Sequence, residues 1–125
     1  MMRRLIGMLV AGTVIAMFVV LLVGENIHKE DRRRVVARVQ VNIFEQALSQ
    51  YKLNCGSFPT TEQGLEALWS RPASVDHWDG PYLRNEVQLD PWGHPYVYKF
   101  PGGHGNQPDI VSHGADGRDI VSWKN

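Results

Sequence analysis

The hydrophobic pattern changes character twice along this chain. From Leu5 to Val23 the sequence LIGMLVAGTVIAMFVVLLV carries no charge over 19 residues. At about 1.5 Å rise per residue, such a helix just spans a hydrocarbon core of about 30 Å. Residues 25–34 are then strongly charged. After them Ala37, Val41, Phe44, Leu48 and Tyr51 recur at spacings of four and three, the signature of one helical face. Val36, Val39, Ile43 and Ala47 are expected to widen that stripe. The pattern predicts one nearly continuous helix over 5–53, its first half in lipid and its second half buried on one side.

Breakers follow. Asn54 and Gly56 suit a helix C-terminus, and Pro59 prevents helix from resuming at once. Thr60 and Gln63 have the spacing of a capping box, and Leu65, Leu68 and Trp69 follow at helical spacing. A short second helix is expected over 61–69. Residues 70–94 read as loop. Strands are expected over 95–100, 108–112 and 119–123, separated by glycine-rich turns. The fold class is α+β, a long N-terminal helix packed on a small antiparallel sheet.

Composition narrows the function. Thirteen basic and thirteen acidic residues balance, so no basic nucleic-acid footprint is expected. The single cysteine, Cys55, makes no internal disulfide and reads as a small loop residue. The apolar run is longer than the core of a cleaved secretory signal, and its C-terminal flank VGENIHKEDRRR lacks a small-residue cleavage site, which favours a retained membrane helix. Arg3 and Arg4 on one side and Lys29, Arg32, Arg33 and Arg34 on the other leave the orientation open on charge alone. No nucleophile–base, zinc or phosphate-loop motif is present, and an enzyme is not expected. The five histidines have no recognised zinc spacing and read as surface or loop residues. Asp116 and Asp119, in HGADGRDI, read on spacing alone as a plain turn between strands.

Three segments carry a resemblance. YKLNCGSFPTTEQGLEAL (51–68) resembles the pattern YKLDNGxYPTTEQGLxAL of the major pseudopilins of type II secretion systems. LDPWGHPYVY (89–98) resembles their QDPWGxxYxY segment, and DIVSHGADGRDIVSW (109–123) their closing DIxSxGxDG…DDIxxW segment. Order and approximate spacing agree over about residues 35–123.

The resemblance implies a type IV pilin-like fold. It implies an inner-membrane protein with residues 1–7 as a prepilin leader, 8–24 as the transmembrane segment and 25–125 as a periplasmic domain. It implies a structural subunit of the pseudopilus, which drives export of folded proteins across the outer membrane. The partners implied are other pseudopilin subunits, the inner-membrane assembly platform, the prepilin peptidase and membrane lipid.

By the family pattern, Gly7 is the cleavage position and Met8 the new N-terminus. The family's glutamate, fifth in the mature chain and paired there with a neighbour's amine, falls at Gly12. No acidic residue between Arg4 and Glu25 replaces it. A charge in lipid costs roughly 2.5–3.5 kcal/mol on insertion scales, so the loss of a paired one bears on recruitment. It supports an alternative: an anchored or minor pilin-like subunit that binds partners or cargo without forming a homopolymer.

Family members bind calcium in the closing loop. The resemblance carries calcium to His113 (through its carbonyl), Asp116 and Asp119. Where the family has a longer acidic insert, this chain has only Arg118 between Gly117 and Asp119.

Overall fold

The computed structural model describes residues 2–115 and 117–124. Helix α1 runs Met2–Cys55, strand β1 Val97–Lys99, β2 Asp109–Ser112 and β3 Ile120–Val121. The chain divides into two compact units, residues 1–33 and 34–125.

The first unit is helical throughout its described length, and residues 6–23 are all exposed. Two polar side chains in or just after the apolar run bond back to the helix. Thr13 Oγ1 donates to the carbonyl of Val10 at 2.8 Å, and Asn26 Nδ2 to that of Leu22 at 3.0 Å. In a solvent without hydrogen bonds this back-bonding removes the penalty of a naked donor.

In the second unit, the stripe Ala37, Val41, Phe44, Leu48 and Tyr51 lies in the core, as its spacing predicts. Val36, Val39 and Ile43 do not widen it; they are 56%, 51% and 43% exposed, and only Ala47 joins the core. The reason is angular. At about 100° per residue, Val39 points roughly opposite to Ala37, while Val36 and Ile43 lie about a quarter-turn off the stripe. Three short strands and their loops cover only one side.

The helix ends where glycine permits. Gly56 adopts φ +84°, and its N–H closes on the carbonyl of Lys52 at 2.8 Å. Cys55 is therefore the last helical residue, half-buried, rather than a loop residue. The expected second helix over 61–69 is shorter: a turn over 61–64, then a 3-10 helix Leu65–Leu68. Gly64, at φ +63°, ψ −169°, breaks the helical path between them. The capping box forms nonetheless. Thr60 N–H donates to Gln63 Oε1 at 2.9 Å, and Gln63 N–H to Thr60 Oγ1 at 3.2 Å.

The sheet is antiparallel in the order β1-β2-β3, with Tyr98 opposite Ile110 and Ser112 opposite Ile120. Each strand is shorter than expected. Tyr98, Ile110 and Ile120 turn into the core beside Phe58, Leu65 and Leu68. Aromatic edges lock the layers: Phe44 meets Tyr96 at 5.0 Å, Phe58 meets Phe100 at 5.2 Å, and Tyr51 meets Tyr82 at 5.7 Å.

Candidate functional site

Two regions of the second unit concentrate polar order, and both are segments that the motifs single out. The first is the joint after α1. Thr61 clasps it to the end of β1: its hydroxyl donates to the carbonyl of Phe100 and accepts from the Phe100 N–H, both at 3.0 Å. Tyr98 Oη donates to the carbonyl of Pro59 at 2.8 Å inside the core. Burial pushes the Tyr98 phenol up from its ordinary range. The joint is thus fixed to the sheet by side chains that reach 39 residues along the chain.

The second region is built from Asp90-Pro-Trp-Gly93 and the loop between β2 and β3. Asp90 is only 4% exposed, yet its carboxylate has partners on both oxygens. Oδ1 accepts the N–H groups of Trp92 (3.0 Å) and His94 (2.8 Å), and Oδ2 accepts the hydroxyl of Ser112 (2.8 Å). Gly93, at φ +86°, completes the turn, its N–H bonding the carbonyl of Asp90 at 2.9 Å. Beyond Ser112 the chain leaves the core. His113 Nδ1 lies 3.0 Å from Asp119 Oδ1, and the His113 carbonyl accepts from His94 Nδ1 at 3.3 Å. Arg34 Nη1 donates to the carbonyl of Arg118 at 3.1 Å. Arg38 Nη1 donates to the carbonyls of Val121 at 2.6 Å and Lys124 at 3.3 Å.

This arrangement has known counterparts. The family model described as type II secretion system (T2SS), protein G matches residues 26–122. The chain belongs to that family. It is 39% identical to the type II secretion system core protein G of Klebsiella pneumoniae, over 98% of this chain and 91% of that one. It is 33% identical to the protein of the same description from Pseudomonas aeruginosa, over 97% and 93%. The crystal structure of the major pseudopilin from the type 2 secretion system of enterohaemorrhagic Escherichia coli superposes with a TM-score of 0.67 at 35% identity, covering 78% of this chain and 92% of that one. The α+β pseudopilin fold expected from the sequence is therefore the fold observed.

Within the protein G frame, the predicted site residues fall in two places. Gly7, Met8 and Gly12 lie on the exposed helix of the first unit. A Cβ added at Gly7 or Gly12 meets nothing within 4 Å. His113 and Asp119 are brought together in the closing loop; Asp116 lies outside the described residues.

The described members of the calcium set are otherwise engaged. Asp119 is bonded to an imidazole, and the His113 carbonyl to another. Among the described residues no three His, Cys, Asp or Glu side chains form a group that could hold a metal ion. Calcium takes six to eight oxygens, several of them carboxylate. The described residues of the set bring one carboxylate, that of Asp119, and one carbonyl, that of His113, to this loop.

Asp90, Arg34 and Arg38 are the site residues that sequence reasoning missed. For Asp90 the available signal was an Asp opening a Pro-x-Gly turn, a position where a carboxylate caps backbone N–H groups. For the arginines it was their spacing of four, which puts both on one helix face.

Proposed function

We propose that this chain is the major pseudopilin of its secretion system: a structural, non-enzymatic subunit that polymerises through its N-terminal helix into the pseudopilus. The observation that carries this reading is the exposure of residues 6–23, apolar all round, beside a second unit that closes its own core. A helix apolar on every side is at home in lipid or among equally apolar copies. One sequence therefore serves as membrane anchor before assembly and as filament core after it.

In this reading the chain sits in the inner membrane with residues 25–125 in the periplasm. Prepilin peptidase cuts after Gly7 and exposes Met8. The assembly platform then lifts subunits out of the bilayer to join other pseudopilins, and the growing filament drives export of folded proteins. The anchored or minor-subunit alternative is not favoured, because protein G relatives match through the apolar segment as well as the domain.

The test is the intact mass of the membrane-extracted protein, expressed with and without prepilin peptidase. Loss of residues 1–7 only in the presence of the peptidase supports the reading. A full-length mass in both cases would contradict it and indicate a permanent anchor.

A further inference from the structure

The sheet of the second unit has two outer edges, and they are closed unevenly. The register of the ladder decides which backbone groups face outward. Ser122 N–H donates to the carbonyl of Ile110 at 3.0 Å, so the backbone groups of Ile110 face the β3 side. Bonded and non-bonded pairs alternate along an antiparallel ladder. Tyr98 opposite Ile110 is therefore a non-bonded pair, flanked by the bonded pairs Val97–Val111 and Lys99–Asp109. The amide and carbonyl of Tyr98 then point away from β2, as do those of Phe100 on the same edge and Val121 on the other. Phe100 is covered, because the Thr61 hydroxyl takes both its carbonyl and its N–H. At Val121 the carbonyl is covered by Arg38. Among the described residues, no partner takes the backbone amide or carbonyl of Tyr98, whose printed bond is that of its phenol to Pro59.

That open stretch borders a groove of about 310 Å³. Leu65 and Glu66 line it from the joint, Val87 and Leu89 from the loop before the Asp90 turn, and Tyr96 and Tyr98 from β1 and its approach. Leu89 is 60% exposed. Glu66 is exposed too, and among the described lining residues it alone is charged.

We propose that this edge takes one extended peptide segment of another protein, carrying a lysine or arginine among apolar residues. A strand laid beside β1 offers N–H and carbonyl groups at the spacing that the Tyr98 backbone requires. Its apolar side chains meet Leu65 and Leu89, and its basic side chain meets Glu66. Folded proteins ordinarily blunt a strand edge with a charge, a proline or a covering segment. Thr61 does so at Phe100 and leaves the next outward-facing position open, so the added strand is short and runs from Tyr98 toward Tyr96. The groove lies in residues 61–98, away from the apolar helix, so the proposal stands apart from polymerisation.

The experiment uses the full-length chain in detergent, a displayed library of short random peptides as the probe, and amide hydrogen exchange read by NMR. Without peptide, the Tyr98 amide is expected to exchange faster than those of Val97 and Lys99, which pair with β2. Peptides enriched on the chain are expected to carry a basic residue beside apolar ones and to slow Tyr98 exchange about tenfold or more. Glu66→Lys, at an exposed position, is expected to turn the enrichment from basic to acidic peptides. Four results would overturn the proposal: a Tyr98 amide already as protected as its neighbours, no enriched peptide, binding that leaves Tyr98 exchange unchanged, or a basic preference that survives Glu66→Lys. Tyr98 protection that rises with chain concentration in the absence of peptide would also overturn it, assigning the edge to a second copy of this chain.

Discussion

The hydroxyl of Ser112 donates to Oδ2 of Asp90 at 2.8 Å, and both side chains are buried. This bond joins the end of β2 to the Asp-Pro-Trp-Gly turn 22 residues earlier and leaves the carboxylate fully partnered. Replacing Asp90 with Ala strands the Trp92 and His94 amides and the Ser112 hydroxyl. The expected loss is about 3 kcal/mol of unfolding free energy, against about 1–2 kcal/mol for Ser112→Ala, which deletes one donor only. Urea unfolding of the two variants checks the order. Equal losses would show that the carboxylate does not organise the turn.

Core and non-core positions of α1 separate cleanly. Phe44 is fully buried against Tyr96, so Phe44→Ala is expected to cost about 3–5 kcal/mol. Val39 is 51% exposed, so Val39→Ala is expected to stay within about 0.5 kcal/mol in the unassembled subunit. The same unfolding assay reads both.

Burial raises the phenols of Tyr51 and Tyr96 to about 12, and that of Tyr98 is raised too. The unfolded chain ionises these groups near an ordinary value of about 10. Their contribution is therefore fully present below about pH 10 and is lost as pH rises through about 12. Alkaline titration is expected to show tyrosinate absorbance appearing together with loss of near-ultraviolet circular dichroism in that window. Tyrosinate formed well before unfolding would contradict it.

At Gly12 an added side chain meets no neighbour, so Gly12→Glu is sterically tolerated. In a lone subunit the new carboxylate costs roughly 2.5–3.5 kcal/mol in lipid. If the chain is cut after Gly7, as proposed, the carboxylate in a filament would gain the amine of an adjacent Met8 as a partner. The variant is expected to raise the yield of sheared filaments relative to the parent, measured by immunoblot of the sheared fraction. An unchanged or lower yield would show that this chain packs its filament core without that pair.

Much of the fold is legible in the sequence because single residues dictate it locally. The five-residue stripe from Ala37 to Tyr51 marks the core face, Gly56 the helix stop, and Thr60 with Gln63 the capping box. Features that depend on distant partners are not legible in this way. Nothing local says that the opposing layer is too narrow to cover Ile43, or that Gly64 will take a positive φ and cut the second helix short. The closing loop is the extreme case. The arginines that reach it, Arg34 and Arg38, lie more than 80 residues before the carbonyls that they bond, inside and just after the strongly charged run.

In the proposed function the exposed apolar helix builds a polymer. The most direct measurement is electron microscopy of the sheared surface fraction from cells that overproduce this chain together with its secretion machinery. Filaments containing the chain are expected, lost when Phe18 within the apolar run is replaced by Asp. A parent chain found exclusively as a membrane-bound monomer would contradict it.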